Sequence, residues 1–304
     1  MAVMEWIWAA IGSAIGFAAV TVLDKIVLER HVASAGTFIF LSALLQMPGA
    51  LVPLAFVAFP DYALSAWALA IGSGAAWGLS LVLMFSILRR QDVSLVTAVF
   101  QTSPVFVAII AVFALSEHLS GWHWVAILVT VAGAVLISLR RSRVGRGPAL
   151  GAWFFFMLVS SALYGAGLTL TKAALDDGMS LWNLHTVRTT SIAVVMVALS
   201  VRGHTLGELR ILARNTNGLA LLVFTEGGLA TGAMYLTTLA LALGPVALAS
   251  TVMASRPMFV FLFGILLSLS LLKVLSEPLD RASLVQRGLA IGMIVAGIST
   301  ITLL

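Results

Sequence analysis

Cysteine is absent from the 304 residues, so disulfides and thiolate metal sites are excluded and the chain carries no mark of its redox compartment. Charge is scarce: Asp, Glu, Lys and Arg together supply 10% of the residues, while mean hydropathy is +1.10. A soluble domain of this length needs a polar surface that such a composition does not supply. The motifs of common soluble chemistry are missing too. There is no Walker loop, no His-Glu-x-x-His zinc pair, no nucleophile elbow and no dinucleotide fingerprint, so neither an enzyme nor a resident cofactor or metal is expected. The net charge of +5 resides mostly in short loops and gives no support for a nucleic-acid partner.

What the chain does have is long apolar runs. Ten stretches lie near 4–23, 34–58, 63–88, 93–115, 121–140, 150–172, 181–201, 217–242, 245–272 and 284–304. Each is long enough to cross a hydrocarbon core of ~30 Å as a helix. Barrel strands are ~10 residues long and alternate in polarity, whereas these runs are continuously apolar. The expectation is an all-α integral membrane protein with ten transmembrane helices and the lipid bilayer as its solvent. The first stretch has no basic n-region and carries Glu5, so it reads as a retained helix rather than a cleaved signal.

The pattern repeats. With Pro104 aligned to Pro257, Ser94–Ser103 matches Ala247–Arg256, and Val131-Ala-Gly133 matches Val295-Ala-Gly297 once about eleven extra residues near Lys273 to Asp280 are allowed. Upstream, the segment ending in Asp24-Lys25 resembles the one ending in Thr171-Lys172, and Gly74/Gly78 resemble Gly228/Gly232. These matches keep a common order, which divides the chain into five-helix repeats at 1–146 and 147–304. Five is odd, so the second copy must enter the membrane inverted. The charges agree: 14 of the 17 basic residues fall in loops on one face, including Arg89, Arg90, Arg140, Arg141, Arg143 and Arg146 from the first copy and Arg202, Arg210, Arg214 and Lys273 from the second. The positive-inside rule makes that face cytoplasmic in a cell (plasma or inner) membrane, with both termini outside. External labelling of a cysteine introduced near Gly145 would overturn this orientation.

The run from Pro104-Val-Phe-Val to Ser116-Glu117-His118-Leu119, followed by a helix ending Val131-Ala-Gly133-Ala-Val-Leu, resembles the EamA-type transporters of the drug/metabolite transporter superfamily. In that family a proline-bearing helix leads to a Gly-Glu-Arg-Leu-like turn; here Ser116 stands for the glycine and His118 for the arginine. The second copy departs further, with a longer loop from Lys273 to Arg281. The resemblance implies ten helices as two inverted repeats, with helices one to four of each half around a central cavity and the fifth helices peripheral. It implies an exporter or importer of small metabolites, without naming the cargo.

Charges inside apolar helices cost ~2.5–3.5 kcal/mol each, so they need a partner, a cavity or an escape to the interface. Glu226 lies near mid-bilayer in the eighth stretch and reads either as a proton-coupling group or substrate-ammonium contact, or as half of a structural ion pair. Its expected partner is Arg256, just before Pro257, about five residues or ~8 Å different in depth. Arg188 lies two turns into the seventh stretch, with His185 one turn before it. It binds a substrate carboxylate or phosphate, or else snorkels to the interface. Trp77, Tyr164 and Tyr235 lie deep enough to offer rings to a substrate; Trp8, Trp67, Trp122, Trp124, Trp153 and Trp182 read as interface anchors. Gln101 and Ser103, with Thr102, put polar groups before Pro104, where a discontinuous turn is expected as at Pro257. Lys25 and Lys172 are expected at the interface. Gly288, Gly292 and Ala296 form a small-residue stripe suited to close helix packing. Glu226, Arg256 and Arg188 have no charged counterparts in the first copy, the equivalents of Glu226 and Arg256 being about Ser73 and Ser103.

Together these point to a secondary transporter, an exporter by preference, that moves a zwitterionic or weakly anionic metabolite such as an amino acid by alternating access, with protons as the candidate coupling ion. The alternatives are a translocator of lipid-linked substrates and a non-transporting membrane scaffold or sensor. The sequence carries no signal of oligomeric state.

Overall fold

The computed structural model describes residues 5–30, 34–88, 91, 93–138, 151–201, 215–269 and 281–303. All regular structure among them is helical. The first three spans are α1 (Glu5–Arg30), α2 (Ala35–Leu51) and α3 (Leu64–Leu88). Ser34 caps α2 by accepting the Thr37 backbone N–H, and a 3-10 turn, Val52–Ala55, closes its far end. The fourth span is two helices, α4 (Val93–Phe100) and α5 (Ser103–Ala114), and α6 (Gly121–Ser138) is the fifth. Next come α7 (Ala152–Asp176) and α8 (Leu181–Ser200). The eighth span begins as α9 (Thr216–Leu222), widens into a π-helix over Val223–Ala230 and ends as α10 (Thr231–Leu243). The ninth is again broken, into α11 (Val246–Met253) and α12 (Arg256–Leu269), and α13 (Arg281–Leu303) is the tenth.

Both breaks fall immediately before a proline, as expected, since Pro104 and Pro257 have no N–H to donate into the preceding turn. Thr102 adds a side-chain bond at the first break, its hydroxyl donating to Val99 O at 2.6 Å. Nine helices among the described residues are long and apolar enough to cross a membrane. α8 matches them in length, but Asn183, His185, Arg188 and three threonines dilute it. It tolerates those groups because it is wedged against α2 and α3 and turns its polar residues into protein.

Spans pair in a fixed pattern. Span one packs on span eight, as span six does on span three; span two packs on seven, four on nine and five on ten. Exchanging each span for the one five places away maps this set onto itself. The division at residue 146, and the basic loops from Arg89 to Lys273 that carry the orientation, lie outside the described residues.

The fifth and tenth spans correct one expectation. Gly288 and Gly292 face open space and Ala296 is exposed, so that stripe does not pack. The contact runs instead through Ala290, Ile294 and Gly297 on α13 and Gly133 on α6. A Cβ on Gly133 would lie 2.7 Å from Ala290 O, and one on Gly297 would collide with Thr130 Oγ1. The two Val-Ala-Gly motifs thus make the same approach reciprocally. Gly133→Val is expected to lower stability by about 1–3 kcal/mol through overpacking, read as an earlier thermal transition in detergent. An unchanged transition would show that these helices separate freely.

Candidate transport site

The two helix breaks face one cavity. It is lined by Ser13, Ala14 and Phe17 of α1; by Phe100, Gln101, Ser103 and Pro104 at the first break; by Tyr164 and Leu168 of α7; and by Ser250, Met253, Ala254 and Arg256 at the second. The space open to water centres is about 30 Å³, room for roughly two or three waters. Broken helices supply what such a wall needs, since backbone left out of the helical ladder is tolerated at membrane depth only beside protein or a wet cavity.

Arg256 is the charged member of this wall. Its Nε–H donates to Thr21 Oγ1 at 3.1 Å, its Nη2 donates to the same oxygen, and its guanidinium lies 5.2 Å from the Phe17 ring centroid. The Thr21 hydroxyl donates in turn to Phe17 O at 2.7 Å. Among the described residues no ion pair joins Arg256 to Glu226, so the expected direct pair is not formed: Thr21 intercepts the guanidinium. Arg256 stays within electrostatic range of Glu226 and of Asp24, an acid near the C-terminal end of α1.

Glu226 is 4% exposed and sits inside the π-helical stretch. Its Oε2 accepts from Gln46 Nε2 at 2.7 Å, and its backbone carbonyl accepts from Thr231 Oγ1 at 3.2 Å. Asp24 and Ser42 lie near its carboxyl, but Ser42 Oγ makes no hydrogen bond to it. Gly49 helps to bring α2 this close, since a Cβ there would meet Thr231 Cγ2 at 2.6 Å.

A second layer lies behind Tyr164. Its ring meets Phe100 at 5.1 Å and Trp77 edge-on at 5.0 Å, and the Arg188 guanidinium lies 4.9 Å from the Trp77 ring centroid. Arg188 is wholly buried, which removes the snorkelling alternative. Its Nη2 donates to Met234 O at 3.0 Å, while Nε and Nη1 have no partner. The tight approach of α3 to α8 depends on Gly74, where a Cβ would fall 2.5 Å from Ser191 Cβ.

Of the residues singled out in the sequence, Gln101, Ser103, Pro104, Tyr164 and Arg256 therefore line one cavity, with Pro257 making the second break. Trp77 and Arg188 back it, and Glu226 lies beyond Arg256. Tyr235 is elsewhere, stacked on Trp182 at 4.3 Å and edge-on to His185 at 5.9 Å. Trp182, expected as a simple interface anchor, is thus also a packing partner. Sequence reasoning missed Asp24, Gln46 and the α1 face of Ser13 and Phe17. The signal for Asp24 was present: an acid within an apolar run that, in the folded chain, continues to Arg30.

The turn after α5 ties the halves together. Ser116 adopts φ 56°, in the left-handed region, and Glu117 accepts the backbone N–H groups of Val246 at 2.6 Å and Ala247 at 3.2 Å. A carboxylate there caps the start of α11, where unpaired N–H groups and the helix dipole favour negative charge. The other end of α11 lines the cavity. Residues 4–139 match the EamA-like transporter family. The match covers the first five spans. An EamA-like glycine at position 116 now has a physical reason, because only glycine adopts that backbone without strain. A crystal structure of another protein is similar over 95% of this chain and 97% of that one, with a TM-score of 0.69 at 16% identity, a likeness of fold. No curated protein matches the sequence. The chain is a multi-pass membrane protein whose first five spans match a transporter family.

Two expectations follow for this turn. Ser116→Gly should raise stability by up to about 1 kcal/mol by relieving the left-handed backbone, seen as a later thermal transition. Glu117→Ala should cost about 1–2 kcal/mol through loss of the cap; a native transition in that variant would show that water caps α11 equally well.

Proposed function

We propose that the chain is a secondary transporter that moves a small zwitterionic or weakly anionic metabolite, such as an amino acid, by alternating access of residues 1–146 against 147–304. The direction is export by preference, across a cell membrane with the basic loops cytoplasmic, and Glu226 couples the movement to protons. The observation that carries this reading is the convergence of both broken spans on one polar-lined cavity with Arg256 in its wall. A guanidinium offers a planar fork of donors to a carboxylate, while Gln101, Ser103 and Ser250 offer neutral hydrogen bonds beside it. Tyr164 and Phe100 supply flat apolar surface for a side chain. With room for only a few waters, this conformation must widen to admit a metabolite, as rocking of two halves about a midplane site would achieve.

The test is flux. Purified protein in liposomes, challenged with amino acids chosen by a thermal-shift screen, should show saturable, substrate-specific movement. No stabilisation by any metabolite together with no flux would sink the transport reading and leave that of a scaffold or sensor.

A further inference from the structure

Asp24 changes the charge balance of the membrane interior. α1 presents Ser13, Phe17, Thr21 and Asp24 at steps of three and four residues, hence on one face. Ser13 and Phe17 line the cavity, Thr21 holds the Arg256 guanidinium, and Asp24 meets Glu226 further along. Glu226 reaches that point from a π-helical stretch, a local widening that recurs at functional sites because it re-aims side chains. Gly227, where a Cβ would lie 3.2 Å from Leu45 O, lets α2 bring Gln46 onto the same carboxyl.

The charged groups that act on Glu226 are Asp24 from α1 and Arg256 from α12, and α2 contributes the neutral Gln46 and Ser42. Two carboxylates against one guanidinium leave one negative charge unbalanced where water is scarce, and an uncompensated buried charge is costly. A carboxylate accepts hydrogen bonds but donates none, so two carboxyl groups bond to each other only when one is protonated. Around them Asp24 Oδ1, Gln46 Oε1 and Ser42 Oγ are buried without partners, although Gln46 and Ser42 are each at most 5% exposed. The matching contact in the other half, span six against span three, has Thr171 at the position of Asp24 and the uncharged Gly72-Ser73 step at that of Glu226. The two hydroxyls are satisfied on their own helices, Thr171 on Gly167 O and Ser73 on Ala70 O, each at 2.8 Å. The architecture itself therefore does not require the acids.

We propose that Asp24 and Glu226 form one proton-binding unit that holds a single proton between two carboxyl groups, taken from and returned to water. This rests on the proton-coupled reading above and adds to it a second residue and a stoichiometry of one proton. The charge of Arg256 completes the neutral state, so with either acid removed the remaining carboxylate is balanced by the guanidinium and needs no proton.

Infrared difference spectra of the full chain in detergent, recorded between acid and alkaline pH without substrate, test the unit through the C=O stretch of protonated carboxyl groups. The native chain should show one pH-dependent buried-carboxyl band, with the intensity of a single group, that is lost in both Asp24→Asn and Glu226→Gln. A band that survives unchanged in Asp24→Asn would assign the proton to Glu226 alone and overturn the proposal. So would a native band worth two groups, or a native band removed by sodium at constant pH, which would mark an alkali-cation site. If Asp24→Asn does not fold, Asp24→Glu keeps the acid and should shift the frequency and midpoint of the band; an unshifted band again overturns the pair. The spectra need no flux, so the two readings fail separately. A paired band without transport sinks the transporter, while pH-driven transport without a shared band sinks the pair.

Discussion

Glu226→Gln in proteoliposomes is expected to abolish accumulation driven by a pH gradient while downhill exchange of substrate continues. One unit of pH is worth about 1.4 kcal/mol per proton, enough to hold a substrate gradient of about tenfold at one proton per cycle. In the variant that ratio should fall to one. Glutamine is close in shape to glutamate, and its carbonyl still accepts from Gln46, whose Nε2 now bonds Glu226 at 2.7 Å. The packing of α2 on the π-helical stretch should survive, so the loss is one of coupling rather than of fold. PH-dependent accumulation at the native level in this variant would remove Glu226 from the mechanism.

Arg256→Gln should weaken binding of a carboxylate-bearing substrate by about 30-fold or more, the effect of removing one member of a desolvated charge pair at ~2 kcal/mol or above. Arg256→Lys should fall between, because an ammonium keeps the charge and loses the bidentate fork. Equilibrium binding to the detergent-purified protein measures both. Native affinity in both variants would reduce Arg256 to a structural role, holding Thr21 across α1 and α12. Its position separates it from Arg188: Arg256 lines the cavity, whereas Arg188 is sealed behind Trp77 and Tyr164. The sequence weighed the two alike because both are arginines about two to three turns into an apolar run. Which of them reaches the cavity depends on the rotation of each helix about its axis, and that is set by neighbours such as Gly74 on α3.

The pairs expected from the sequence illustrate the same division. Depth along a helix follows from counting residues, so Glu226 and Arg256 were placed at compatible levels. Contact requires that their helices also turn the right faces toward each other. In the fold Arg256 is taken by Thr21 and Glu226 by Gln46, with Asp24 beside it. Asp24 was overlooked because an acid followed by Lys25 reads as the end of a span. α1 instead runs on to Arg30, which keeps Asp24 inside the helix, half-buried with its Oδ1 shut off from water. The glycines of the tenth span were misassigned for a related reason. Gly288 and Gly292 form the more regular stripe, yet of these glycines only Gly297 meets α6, beside Ala290 and Ile294.

The sequence by itself determined the solvent, the helices and their breaks. Continuous apolar runs admit no other spanning structure, and a proline interrupts the ladder wherever it stands. It also determined that the two halves differ in charge, because that is a property of residue identity. Tertiary structure decided which polar groups meet: it gathered Gln101, Ser103, Tyr164 and Arg256 around one space, set Tyr235 apart, and placed Asp24 against Glu226. Such meetings depend on helix rotation and on a π-helical widening that shifts every later side chain around the axis, and neither leaves a period in the sequence to be read.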